Sequence, residues 1–176
     1  MNWEILKDHI RCSAIIKKNV ILSSGLEAKY YIDLRRVTLN STSAPLVGEV
    51  MLDLTKELDF DAVGGLTLGA DPVATAMMHV AAQKGRQIDA FVVRKAEKAH
   101  GLQRRIEGPD VKGRKVLAVE DTSTTGGSVL TAVEALKEAG AIVVGVAVIV
   151  ERGAKEKVES VGLKYLAAYQ LSDLGL

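Results

Sequence analysis

The sequence predicts an α/β fold in which helices flank both faces of a mostly parallel sheet. Short apolar runs at 62–65, 90–93 and 116–119 read as buried strands, and a longer one spans 141–150. Helical patterns alternate with these runs, and that alternation is typical of parallel sheets. Since 176 residues suffice for one sizeable core, we expect a single domain over 1–176.

The amino-terminal part predicts a small appendage to this sheet. Trp3, Leu6 and Ile10 fit one face of a first helix. Two β-rich runs follow at 14–22 and 30–34, and Ser23-Ser24-Gly25 is a turn signal near the first of them. Together they indicate a small antiparallel unit outside the main sheet, formed mainly by about residues 1–40.

The remaining elements follow in order. One helix begins near Ser43-Ala44-Pro45 and another at Asp71-Pro72, because proline suits the first turn of a helix. Leu130, Val133 and Leu136 lie at helical spacing, and Gly140 is a stop signal. After the long strand, the pattern ends with a short helix at 155–161 and a strand at 165–168.

Composition and charge argue against several classes of protein. The formal net charge of +1 implies no general attraction to nucleic acid or to a membrane. The longest apolar run, 141–150, is far shorter than the roughly 20 residues that span a bilayer. Cys12 is the only cysteine, so no intrachain disulfide can form and we expect a cytoplasmic protein.

A small polar loop joins the strand at 116–119 to the helix that follows. The acids Glu120 and Asp121 come first, and then only hydroxyl residues and glycines: Thr122, Ser123, Thr124, Thr125, Gly126, Gly127 and Ser128. Glycines allow close backbone approach, and the free N–H groups at a helix start suit a phosphate. The two acids suit sugar hydroxyls or a metal-bound sugar. The loop therefore predicts a site for a ribose 5-phosphate.

A long basic segment follows the strand at 90–93. From 94 to 115 there are eight lysines and arginines against three acids, and Gly101, Gly108, Pro109 and Gly113 interrupt regular structure. Loops of this length in compact domains are usually functional or disordered. Both a solvated charge run and a mobile lid that neutralises a diphosphate fit the pattern.

Two motifs carry a resemblance to a known family. The stretch from Lys115 to Val129 resembles the phosphoribosyl pyrophosphate (PRPP) loop of the type I phosphoribosyltransferases, with four apolar residues, two acids and a Thr/Gly-rich loop. The order Arg94-Lys95-x-x-Lys98-x-His100-Gly101 is similar to the catalytic loop of the orotate phosphoribosyltransferases. With the amino-terminal unit as the family's hood, the resemblance covers nearly the whole chain.

The resemblance implies the type I phosphoribosyltransferase fold and a reaction of the de novo pyrimidine pathway. PRPP would transfer its 5-phosphoribosyl group to orotate, giving orotidine 5′-monophosphate and pyrophosphate. Mg²⁺ would be the cofactor, bridging phosphate oxygens without direct protein ligands. Two alternatives remain at this point: an enzyme with a purine or uracil acceptor, and a non-catalytic PRPP-sensing regulator of the same fold.

The resemblance also implies roles for individual residues. Lys98, His100, Glu120 and Asp121 would be catalytic. PRPP would contact these four together with Arg94, Lys95 and the loop residues Thr122, Ser123, Thr124, Thr125, Gly126, Gly127 and Ser128. Orotate would contact Thr124, Arg152 and Tyr31, although strand packing for Tyr31 and a strand-end salt bridge for Arg152 fit the local sequence equally well. The enzyme would be a homodimer in which the lid of each subunit completes the site of its partner.

The sequence departs from this family at four places. Ser23 and Gly69 stand where relatives often have lysine, the lid contains an inserted Leu-Gln-Arg-Arg-Ile, and Thr125-Gly126-Gly127 replaces the commoner Ala-Gly-Thr. The Gly69 change leaves backbone contacts to pyrophosphate possible in the loop at 66–71 while removing a side-chain contact.

Overall fold

The computed structural model describes residues 1–17, 20–21, 27–28, 30–95 and 105–176, with backbone alone at 20–21 and 27–28. Within these ranges it forms an α/β structure with a mostly parallel sheet, which confirms the predicted fold class. None of the helices described there is long and apolar enough to cross a membrane.

The main sheet has six strands among the described residues, in the spatial order β10-β9-β8-β5-β6-β7. All neighbours pair in parallel except β7, which runs antiparallel to β6 at the edge. The strands span Ala62–Leu66 (β5), Asp89–Val93 (β6), Ile106–Glu107 (β7), Lys115–Ser123 (β8), Ile142–Glu151 (β9) and Tyr165–Gln170 (β10).

The order of the strands creates a ligand-binding position. The chain runs from β5 through α4 (Ala70–Gln83) to β6 on one side. It then returns to β8 on the other side of β5, and α5 (Gly127–Glu138) and α6 (Lys155–Glu159) lead on to β9 and β10. The direction of winding therefore reverses between β5 and β8. Open α/β sheets bind ligands at the carboxyl ends of the strands that flank such a point.

Two hydrophobic cores cover the two faces of the sheet. Side chains of β8 alternate between them, with Leu117 and Val119 in one core and Val116 and Ala118 in the other. This alternation follows from the two-residue period of a strand. The first core contains residues of α1 (Asn2–His9), the π-helical turn Ile10–Ala14, α2 (Arg35–Thr38), α3 (Ala44–Leu54) and α4; the second contains residues of α5 and α6.

The amino-terminal unit lies outside the main sheet, as predicted. Strand β1 (Ile15–Ile16) pairs with β4 (Tyr31–Ile32), and β2 (Val20–Ile21) pairs with β3 (Glu27–Ala28). Both pairs are antiparallel. The turn signal Ser23-Ser24-Gly25 lies outside the described residues.

The second half of the basic segment contains regular structure, although its glycines and proline indicated an irregular loop. Strand β7 pairs with the end of β6, and the Arg94 N–H donates to the Arg105 carbonyl over 2.7 Å. Residues 105–114 therefore extend the edge of the sheet. The segment between the two ends of this hairpin, 96–104, lies outside the described residues.

Candidate active site

An open cleft of about 470 Å³ lies at the carboxyl ends of the central strands. Its walls come from the hood at 31–33 and Arg35, from the loop 66–69 after β5, and from β8 with the following loop. Lys95 after β6 and Arg152 after β9 complete the lining. The cleft thus occupies the position between β5 and β8 where the winding of the sheet reverses.

The acid pair lies inside β8, and the expectation that the strand ends before it is wrong. Pairing with β9 continues to Ser123, which is opposite Glu151, so the ladder holds the chain extended past both acids. Glu120 is only 5% exposed. Burial, and secondly the Asp121 charge beside it, raise the pKa of Glu120 to about 8.

Asp121 is held more firmly in its charged form than Glu120. Burial raises its pKa, but the Thr122 N–H donates to its carboxylate over 2.6 Å and the Arg35 charge lies nearby, and both oppose that rise. Burial and the neighbouring Asp121 charge therefore favour the neutral form of Glu120. A ligand that brings hydroxyl donors or positive charge would favour the doubly ionised pair.

The loop after β8 combines hydroxyl groups with a helix start. Thr122, Thr124, Thr125 and Ser128 line the cleft. Gly126 precedes α5 with φ +73°, a left-handed conformation that favours glycine, and Gly127 is the first residue of the helix. Ser123 is buried away from the cleft, where it lies near the hydroxyl of Tyr165. The loop therefore presents N–H and O–H donors together, which suits a phosphate.

The end of β5 and the loop after it bring glycine backbone close to β8. A Cβ on Gly65 would lie 2.2 Å from the Val119 carbonyl oxygen, and one on Gly69 would lie 2.0 Å from Glu120 Oε1. The Thr67–Leu68 peptide bond in this loop is cis. The absence of a lysine at position 69 thus coincides with close approach of this backbone to the acid pair.

The basic residues of the predicted lid are only partly described. Lys95 lines the cleft and is exposed, whereas Arg94 is half-buried and its Nη1 lies 3.5 Å from Glu107 Oε1 at the base of the hairpin. Arg94 does not line the cleft. Lys98 and His100 lie outside the described residues.

Arg152 and Tyr31 approach the cleft from two sides. The Arg152 backbone N–H donates to the Ser123 carbonyl over 3.0 Å, which ties it to the loop after β8. Its Nε is buried and has no hydrogen-bond partner among the described residues. Glu151 accepts from the Gly153 and Lys155 N–H groups and so fixes the turn around Arg152. The Tyr31 hydroxyl accepts from Arg35 Nη2 over 3.3 Å.

Sequence reasoning missed Asp33 and Arg35, which both line the cleft. The available signal was a pair of charged residues at the end of a hood strand, in Asp33-Leu34-Arg35. Within the described ranges, no group of three or more His, Cys, Asp or Glu side chains is placed so that it could hold a metal ion.

Comparison with known proteins identifies the class to which this fold and cleft belong. Residues 37–166 match the phosphoribosyl transferase domain model, and the chain belongs to that family. It is 67% identical to the orotate phosphoribosyltransferase of Streptomyces avermitilis over 174 residues, which cover 97% of this chain and 96% of that one. Within the family, the chain therefore groups with the orotate phosphoribosyltransferases.

Solved structures agree with this placement. The orotate phosphoribosyltransferase of Mycobacterium tuberculosis in complex with Fe(III) dicitrate matches with a TM-score of 0.91 at 53% identity, covering 100% of both chains. The same enzyme in complex with PRPP matches with a TM-score of 0.87 at 49% identity, again over 100% of both chains.

Proposed function

We propose that this protein transfers the 5-phosphoribosyl group of PRPP to orotate, giving orotidine 5′-monophosphate and pyrophosphate in pyrimidine synthesis. One observation carries the proposal beyond family membership. A single cleft combines an acid pair in which Glu120 is buried, a hydroxyl-rich helix start and an arginine whose buried Nε has no partner among the described residues. These groups match a ribose, its 5-phosphate and a carboxylate-bearing acceptor.

The donor would bind along β8. The loop 122–128 would hold the 5-phosphate with its N–H and hydroxyl donors. Glu120 and Asp121 would accept hydrogen bonds from the ribose hydroxyls. As the C1–O bond breaks, its electron pair leaves with pyrophosphate, and positive charge develops on the ribose ring near the two carboxylates. Negative groups placed there in advance stabilise that charge.

The acceptor would bind between the hood and the end of β9. Arg152 would pair with the orotate carboxylate through its planar fork of donors, and Thr124 would add a contact from the neighbouring loop. Tyr31 would supply a flat surface for the pyrimidine ring. The ring nitrogen then bonds to C1 and its proton goes to water.

Mg²⁺ is the cofactor that this substrate implies, and the cleft fits it. Mg²⁺ prefers oxygen ligands and keeps several waters, so a substrate with many oxygens and two nearby carboxylates, Glu120 and Asp121, is sufficient. When bound, it would neutralise charge on the pyrophosphate. Lys95, with Lys98, His100 and Arg94 of the lid, would add to that neutralisation.

We further propose a symmetric homodimer whose lids act across the interface, in the cytoplasm. An apolar groove of about 520 Å³ runs beside the cleft between α2, α3 and α4, and supports a contact there. It is flanked by Leu39 and Leu68, which are 71% and 67% exposed. A two-fold contact there would place one subunit beside the cleft of the other. The single cysteine, Cys12, fits a reducing compartment.

Loss of orotate absorbance in the presence of PRPP and Mg²⁺ tests the reaction. We expect orotate to be consumed and pyrophosphate to appear in equal amount. Uracil, hypoxanthine and adenine should react far more slowly, because they lack the carboxylate that Arg152 would bind. A clear preference for one of these bases, or no turnover of any of them, would contradict the proposal.

Subunit mixing tests the shared site. An inactive Lys98→Ala protein is allowed to exchange subunits with an inactive Asp121→Asn protein. If lids act across the interface, one site in each heterodimer regains both native parts and activity returns. Verified exchange without recovered activity would show that each lid serves its own site.

A further inference from the structure

The side of the cleft formed by the loop after β5 carries no positive charge of its own. No lysine or arginine occurs between 57 and 83. At position 69 a Cβ would lie 2.0 Å from Glu120 Oε1, so a side chain there would displace that carboxyl group. The diphosphate of PRPP is strongly anionic, and its departure adds charge. Any positive charge on this side of the cleft therefore comes from another element.

Arg35 is placed to supply that charge. It is the first residue of α2, directly after the hood strand β4, and its side chain is 45% exposed. It lines the cleft, and together with Leu68 of the loop after β5 it also lines the neighbouring apolar groove. The guanidinium thus lies at the boundary between these two cavities, beside the loop that lacks a cation.

The contacts of Arg35 fix its orientation and leave donors available. Its Nε donates to Asp33 Oδ1 over 2.8 Å, and Nη2 makes a longer contact of 3.3 Å to the Tyr31 hydroxyl. Nη1 has no hydrogen-bond partner among the described residues. A guanidinium anchored through Nε presents its Nη groups as a fork, which matches phosphate oxygens.

We propose that Arg35 binds the diphosphate group of PRPP and the pyrophosphate product. This inference rests on the proposed function and adds a residue to it. The guanidinium supplies the positive charge that the loop after β5 does not carry, and Asp33 holds it in position. When the C1–O bond breaks and its electron pair stays on the leaving oxygen, the Arg35 contacts become stronger because the leaving group gains negative charge.

Arg36 offers a matched control. It is the next residue in α2, and its Nε also faces Asp33, at 3.9 Å from Oδ2. Its side chain is 57% exposed and does not line the cleft. Loss of Arg36 therefore removes a charge near Asp33 without removing a donor from the site.

Calorimetric titration of the wild type, Arg35→Gln and Arg36→Gln provides the test. Each protein is titrated in Mg²⁺ with PRPP, inorganic pyrophosphate, ribose 5-phosphate and orotate. Arg35→Gln should weaken PRPP and pyrophosphate binding roughly 10-fold to 100-fold, the usual effect of a lost charge-assisted hydrogen bond. Ribose 5-phosphate lacks the diphosphate, so its affinity should be unchanged. Arg36→Gln should match the wild type with all four ligands, and Arg35→Lys should retain part of the affinity.

Several results would overturn the inference. Equal pyrophosphate affinity in Arg35→Gln and wild type would show that Arg35 makes no such contact. Equal losses for pyrophosphate and ribose 5-phosphate would mean that Arg35 acts through the acid pair or the fold, and a loss confined to orotate would mean that it acts through Tyr31. If the wild type itself binds neither PRPP nor pyrophosphate, the proposed function fails, and this inference fails with it.

Discussion

The two loops at the centre of the sheet face the same cleft but use opposite means to do so. The end of β8 and the loop after it present side chains, including the acids Glu120 and Asp121 and several hydroxyls. The end of β5 and the loop after it instead bring glycine backbone close to β8: a Cβ on Gly65 would lie 2.2 Å from the Val119 carbonyl oxygen, and one on Gly69 would lie 2.0 Å from Glu120 Oε1. The region around the end of β8 can therefore be recognised from its sequence, because its side chains have distinctive chemistry. The glycines of the β5 region can be explained only from their packing against β8.

Replacing Asp121 with asparagine should have the largest effect. The change keeps the shape but removes the charge proposed to stabilise the ribose cation, so kcat should fall about 10³-fold, or ~4 kcal/mol. The melting temperature should stay the same or rise, because a buried charge is removed. Steady-state assays and thermal unfolding measure both, with exposed Asp110→Asn as the control. Full activity in Asp121→Asn would refute its role.

A substitution at Arg152 tests whether a side chain of the cleft also binds the acceptor, orotate. Arg152→Ala removes the proposed partner of the orotate carboxylate, and losing such a desolvated partner costs about 3 kcal/mol. The KM for orotate should therefore rise roughly 100-fold while PRPP affinity stays near normal. Arg152→Lys keeps the charge without the planar fork and should lie between the two. Weakened PRPP binding with a normal orotate KM would contradict the assignment.

Two alanine substitutions in the region of β5 test whether its glycines are required by their close packing. Gly69→Ala forces Glu120 to move. Small displacements of catalytic groups slow reactions markedly, so we expect kcat/KM to fall roughly 30-fold. Gly64→Ala meets the Phe91 carbonyl at 2.1 Å, inside the sheet. Because that obstacle is backbone, the effect should be a loss of stability of about 1–3 kcal/mol. Activity assays and urea unfolding of both variants separate the two effects. Unchanged activity in Gly69→Ala would show that the acid pair tolerates a side chain there.

The same contrast explains how far the sequence was informative. The acids, the hydroxyl-rich loop, Lys95 and Arg152 could be predicted as site residues because their side chains have distinctive chemistry at strand ends, and the structure places them along one cleft. Arg35 was missed because its role depends on the hood folding over the cleft, a long-range contact that local pattern does not encode. Strand pairing extended β8 past Asp121 and made 106–107 a strand, since hydrogen bonding to neighbours overrides local turn signals. Each of these differences arises from contacts between residues that are distant in sequence.

The smallest expected effect is a pH dependence of stability that originates in the acid pair. The pKa of Glu120 is raised from 4.5 to about 8 in the folded protein, mainly by burial. Between these pH values the folded chain keeps a proton that the unfolded chain has released. The contribution of Glu120 to the free energy of unfolding is therefore largest below about pH 4.5, and it decreases as the pH rises towards 8.

Urea unfolding of the ligand-free protein between pH 5 and pH 8.5 measures this dependence. We expect the free energy of unfolding to fall across this range, because the unfolded chain has already released the Glu120 proton that the folded chain still holds. Glu120→Gln cannot ionise and should give a flatter profile, becoming more stable than the wild type near pH 8. The exposed Glu138→Gln should follow the wild type. Parallel profiles for the wild type and Glu120→Gln would mean that Glu120 is already ionised in the ligand-free protein. Glu120 and Asp121 would then both be charged before PRPP binds, and the pair would attract a cation without first losing a proton.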